Sequence, residues 1–81
     1  MKITVLLFAA ARETAGMESV ELDLPEDASV AHARTALLRS LPRLAVSTNA
    51  LLWAVNNEYA ADDRLLSSRD VVACFPPVSG G

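Results

Sequence analysis

The chain has 81 residues, a net charge of −3, 52% hydrophobic residues and only 5% aromatic ones. This is one small domain with enough Leu, Val and Ala for a core, and the composition excludes a disordered chain. One lysine with no basic cluster argues against nucleic acid or an anionic membrane as main partner, and one cysteine with no Cys/His pair at zinc spacing excludes an internal disulfide and a zinc site.

Lys2 followed by the apolar run Ile3 to Ala11 has the outline of a short secretory signal, with Ala9-Ala10-Ala11 as a mock cleavage site. A buried first strand over residues 2–8 is the stronger reading. Ile3, Thr4 and Val5 are β-branched, and cleavage would strip a long apolar segment from a chain near the lower size limit. No run reaches the roughly 18 residues needed to span a bilayer. A small domain without disulfides fits a reducing compartment, so a cytoplasmic location is expected.

Residues 9–15 read as a short helical turn ended by Gly16. Arg12 and Glu13 are adjacent, do not face each other on a helix, and read as solvated. Val20, Leu22 and Leu24 alternate with Ser19, Glu21 and Asp23, which predicts a half-buried strand antiparallel to the first. Pro25-Glu26-Asp27 closes it. Ser29, or alternatively Asp27, is the candidate N-cap of a helix over about 30–41. Val30, Ala33, Leu37 and Leu41 form its apolar stripe, widened by Leu38. Arg34 and Arg39 are expected to face water. His32 is expected to be exposed, since no Ser or carboxylate spacing around it makes a relay. Pro42 stops the helix.

Residues 43–50 read as irregular or as one helical turn. Leu51 to Val55 predicts a strand holding Trp53, Asn56-Asn57-Glu58 a turn, and Tyr59 to Ala61 a short pairing strand. Asp62 and Asp63 read as solvated, because two neighbouring carboxylates lack the further oxygen ligands a metal needs. Val71 to Phe75 is the last strand, with Cys74 a small packing residue rather than a reactive thiol. One long helix among short strands implies a two-layer α+β domain over 1–75.

Residues 76–81 differ from the rest. Two prolines bar a helix and favour an extended run, while two glycines let backbone pass through a narrow channel. From Pro76 to Gly81 an extended chain reaches roughly 20 Å at about 3.3 Å per residue. A terminal Gly-Gly is ordinarily a frayed end. A strand running into Phe-Pro-Pro ahead of it instead looks built to present the carboxylate.

Phe8-Ala9-Ala10-Ala11-Arg12-Glu13 with Gly16, Ala54-Val55-Asn56, and Val72-Ala73-Cys74-Phe75-Pro76-Pro77-Val78-Ser79-Gly80-Gly81 together resemble the MoaD family, the small subunits of molybdopterin synthase. The resemblance covers the full chain. A terminal Gly-Gly is shared by ubiquitin-like carriers generally; the longer ending is more specific. The resemblance implies a β-grasp, ubiquitin-like fold: a mixed sheet packed on one main helix with a flexible Gly-Gly tail. Two departures stand out. The family's acidic-Gly-acidic turn before the last strand is replaced by Ser68-Arg69-Asp70, and Cys74 stands where a larger apolar residue is common.

The function so implied is sulfur carriage in molybdenum cofactor biosynthesis. A carboxylate is a poor electrophile, so an E1-like (MoeB-like) adenylating enzyme activates Gly81 with ATP. A persulfide sulfur donor then converts the acyl-adenylate to a thiocarboxylate. The loaded tail enters the MoaE-like large subunit of a heterotetrameric synthase and gives sulfur to cyclic pyranopterin monophosphate, two carriers serving each dithiolene. This chain has no phosphate-cradling Gly-x-x-x-x-Gly-Lys, so ATP belongs to the partner's site. No cofactor, metal or active site is expected on the chain itself; it is the sulfur-donating subunit of a sulfurtransferase complex. Gly81 carries the sulfur, Gly80 lets the tail thread, and Ser79, Val78, Pro77 and Pro76 form its stiff docking part. Phe75 and Phe8 form an exposed partner-binding patch, with Arg12 beside them in the family's motif.

Three rivals remain open. One is a related carrier for thiamine or another thiolated product. Another is a protein modifier forming isopeptide bonds through Gly81, for which Lys2, the only internal lysine, supports no polymeric chains. The third is an interaction domain with an inert tail.

Overall fold

The computed structural model describes residues 1–44 and 51–76. Within the described residues, strands and helices follow in the order β1 (Lys2–Leu7), α1 (Ala9–Ala15), β2 (Ser19–Asp23), α2 (Val30–Ser40), β3 (Leu52–Val55), β4 (Glu58–Tyr59) and β5 (Val72–Phe75). They form one mixed sheet of order β2-β1-β5-β3-β4. β1 and β5 run parallel, pairing Val5 with Val72 and Leu7 with Cys74. The hairpin β1–β2 is antiparallel, as the alternation in residues 19–24 predicts, with Ile3 opposite Leu22.

Period-two alternation decides the faces. Ile3, Val5, Leu7, Leu22, Trp53, Val55, Val72 and Cys74 point inward and are buried. Val30, Ala33 and Leu37 of α2 are buried in the same cluster, and Ala11 of α1 and Leu44 join it. Each large aliphatic side chain withdrawn from water in this way contributes about 1.5–3 kcal/mol before entropy is counted. The expected stripe of α2 therefore holds, with Leu38 and Leu41 half-buried at its margin. Arg43 and Leu44 have helical geometry; the rest of the expected connection, 45–50, lies outside the described residues.

The ends of α2 explain two residues. Ser29 is the N-cap, and the Ser29 N–H donates to Nδ1 of His32 at 3.0 Å, completing a capping box. His32 is exposed as expected, but its role is to satisfy a donor that a helix start leaves free. The Val30 and Ala31 N–H groups donate to the Arg64 and Asp62 carbonyls, which staples the loop after β4 onto the helix start. Arg34 corrects the expectation of a solvated side chain. It is half-buried, donating to the Leu51 carbonyl at 3.0 Å and to Asp62 Oδ1 at 2.6 Å. Its planar fork can bridge a carbonyl and a carboxylate at once, and that fixes the start of β3 against α2. Asp62 is the acidic half of that pair, and its side chain stays largely exposed.

The glycine missing between Ser68 and Asp70 is not needed. No residue from 67 to 70 has positive φ. The Asp70 carboxylate instead accepts the Ser67 N–H at 2.8 Å, and the Asp70 N–H donates back to the Ser67 carbonyl at 3.0 Å. Among the described residues no helix is long and apolar enough to cross a membrane.

Candidate functional site

The sheet's second face is the unusual one. By register, Leu6 lies beside Ala73, Ala73 opposite Ala54, and Ala54 opposite Tyr59, while Leu52 pairs with Phe75. These outward positions carry no charge, and among the described residues no helix covers them. Half-buried sheets normally alternate apolar with polar residues, as β2 does with Glu21 and Asp23. A depression of about 320 Å³ opens on this face, lined by Phe8, Ala54, Asn57, Tyr59, Ala73 and Phe75. Contiguous exposed apolar surface of this kind marks an interaction site.

Phe8 and Phe75 both line this depression. Phe8 caps α1 in an extended conformation, and its N–H donates to the Cys74 carbonyl at 3.2 Å, so the entry to α1 is tied to the end of β5. Its side chain is 45% exposed. Phe75 is half-buried rather than fully exposed, because Tyr59 packs on it with ring centroids 5.9 Å apart and planes tilted by 58°. That is the offset geometry aromatic quadrupoles favour. Tyr59, 77% exposed, is a member of the surface that the sequence reading missed, along with Ala54, Ala73, Leu6 and Leu52. The signal was the unbroken apolar runs of 51–55 and 71–75, where alternation fails because both sheet faces are apolar.

Arg12 does not line the depression. Its guanidinium pairs with Glu18 across the turn at Gly16, where φ of +72° suits glycine. Pro76 is half-buried where the chain leaves β5. Pro77, Val78, Ser79, Gly80 and Gly81 lie outside the described residues.

Cys74 faces the core, on the side of β5 opposite Phe75. Burial pushes its thiol up to about 12, against a weaker opposing pull from Arg34. It stays protonated at neutral pH and is no nucleophile. Among the described residues no three His, Cys, Asp or Glu side chains gather as a metal would require. What the site offers chemically is a shaped apolar surface beside the root of the tail.

Comparison with known proteins gives matches along the whole chain. The ThiS family matches residues 5–81. The molybdopterin synthase sulfur carrier subunit of Arabidopsis thaliana is 35% identical over 81 residues, spanning 100% of this chain and 84% of the plant protein. That of Escherichia coli (strain K12) is 39% identical over 83 residues, spanning 98% of this chain and 99% of the bacterial one. The crystal structure of SAMP1, small archaeal modifier protein 1, from Haloferax volcanii superposes with a TM-score of 0.86 at 32% identity, covering 100% of each chain.

Proposed function

This chain belongs to the ThiS family, and from that membership we propose that it is the sulfur-carrier small subunit of a molybdopterin synthase. The carrying observation is the uncharged patch on the outer face across β3, β4 and β5, which reaches Phe75, next to the Gly-Gly ending in sequence. Relatives of similar length named as molybdopterin synthase sulfur carrier subunits support the same reading.

The division of labour follows from what the described chain lacks. Its one thiol is buried and protonated and offers no competing nucleophile. The likeness to sulfur carrier subunits points to the Gly81 carboxylate as the reacting group. An E1-like partner adenylates that carboxylate with ATP, releasing pyrophosphate. The outer sulfur of a persulfide donor then displaces AMP to form an acyl disulfide. A second thiol cleaves that disulfide reductively, itself ending in a disulfide, to leave the Gly81 thiocarboxylate. The large subunit then docks on the apolar face and receives the tail, and the thiocarboxylate gives its sulfur to cyclic pyranopterin monophosphate. The fold itself binds, orients and presents; docking a rigid apolar face fixes the tail's root and so restricts where Gly81 can search.

The test is an intact mass of the chain with a native C-terminus after incubation with the E1-like enzyme, ATP and a sulfur donor. Exchange of one oxygen for sulfur is expected, located to Gly81 by fragmentation because oxidation of Met1 or Met17 adds nearly the same mass. Deleting Gly81 is expected to leave the fold intact and abolish loading. A truncated chain that still loads would overturn the assignment.

The likeness to SAMP1 favours a second reading, attachment of Gly81 to other proteins through isopeptide bonds. Conjugates that survive a denaturing gel would establish it.

A further inference from the structure

We propose that a clasp between Asn56 and Asp70 is a positioning device for the docking surface, holding Tyr59 against Phe75 at the root of the tail. The inference rests on the reading that the outer face receives the large subunit.

Asn56 and Asn57 turn β3 into β4, with φ of 53° and 69°. Both central residues at positive φ make a type I′ hairpin turn, which Asn tolerates better than other side chains. Past the Val55–Val72 pair the contact with β5 continues partly through a side chain. The Asn56 side chain takes over: Oδ1 accepts the Val71 N–H at 2.9 Å while the Asn56 backbone N–H donates to the Val71 carbonyl at 2.8 Å. Asn56 Nδ2 in turn donates to Asp70 Oδ1 at 3.0 Å, and Asp70 is braced by the Ser67 N–H. The hairpin is thereby locked to the start of β5.

β4 is two residues long and lies at the sheet edge, so its own pairing with β3 is short. Tyr59 sits on it directly opposite Ala54 and contributes the outer ring of the aromatic pair. Rotation of the hairpin about β3 would carry that ring off Phe75. The clasp opposes this rotation with hydrogen bonds at the exposed rim, where they contribute little to global stability but fix a direction. An aromatic anchor held in its bound geometry loses less on docking than a mobile one.

The test joins a structural readout to a binding cycle. Asn56→Gly tolerates the positive φ and deletes the side-chain bonds; Asp70→Ala removes the other half of the clasp should the first variant fail to fold. The Tyr59–Phe75 ring NOEs are expected to weaken in both variants while those around Trp53 persist. Calorimetric affinity for the molybdopterin synthase large subunit of the same genome is expected to fall about tenfold in Asn56→Gly and at least as far in Tyr59→Ala. The double variant Asn56→Gly/Tyr59→Ala should bind no more weakly than Tyr59→Ala alone, since a positioning residue has nothing left to position. Retained ring NOEs in both clasp variants, or losses that multiply in the double variant, overturn the proposal. Unchanged affinity in both Tyr59→Ala and Phe8→Ala overturns the docking reading and the proposal with it.

Discussion

The two faces of the sheet are built from the same residue types and have opposite fates. On β5, Val72 and Cys74 point inward under α2, whereas Ala73 and Phe75 point outward. On β3, Trp53 and Val55 face in while Leu52 and Ala54 face out. The inner face is closed by the Val30, Ala33 and Leu37 stripe; nothing among the described residues closes the outer one. Hydrophobicity alone therefore does not say which apolar surface is core. What separates the faces is whether the described chain supplies the covering layer, and the uncovered layer is the proposed docking surface.

The contrast can be broken most forcefully from the inside. Leu37→Ala opens a cavity in a fully buried position and is expected to cost about 2–5 kcal/mol in denaturant-measured stability. A loss under about 1 kcal/mol would mean that α2 is not the layer sealing the core. Phe75→Ala addresses the outer face. It should weaken large-subunit binding by about 1–3 kcal/mol in calorimetry. Its stability cost should stay near the roughly 0.5–1.5 kcal/mol of the lost pairing with Tyr59. A large stability loss with unchanged affinity would make the outer face a second core rather than a docking surface.

The smallest expected effect concerns the rim between the faces. The Ser67 N–H, then the Asn56 amide, hold the Asp70 carboxyl below its ordinary 3.8. A carboxylate depressed on folding stabilises the native state above its unfolded value, and that contribution is lost as pH falls through the folded value. Asp70→Asn should therefore lower the denaturation midpoint slightly at neutral pH, and the gap to the parent chain should close as pH drops below 3.8. A gap independent of pH would remove the charge from the account of this turn. Because Asp70 is close to solvent, salt is expected to narrow the gap as well.

Much of the architecture was legible because local chemistry and tertiary structure agree. Ser19 to Leu24 alternates cleanly because one face of β2 meets water. The stripe on α2 and the stop at Pro42 survive for the same reason. The Asn56-Asn57 pair announces its turn through a backbone conformation few other residues accept. Less visible was anything fixed by distant partners. Arg34 reads as a surface residue until Leu51 and Asp62 are brought to it. His32 reads as idle because its partner is a backbone N–H, which has no signature in sequence. The tail's chemistry rests on composition and resemblance alone, since 77–81 lie outside the described residues. The surface beside it was legible only in Phe8 and Phe75, since Tyr59 joins it through strand pairing.

The parallel pairing of β1 with β5 has a consequence for how the protein is made. β1 is synthesised well before β5 and waits for it, and among the described residues β3 joins β1 through β5. Contacts of such long sequence separation form late, because loop closure precedes any gain from pairing. A chain interrupted before Val72 leaves β1 with an open edge and β3 with no neighbour on that side. The strand that completes the fold is also the one that leads into the Gly-Gly ending. Synthesis thus couples completion of the carrier to arrival of its handle, and a prematurely terminated product lacks both.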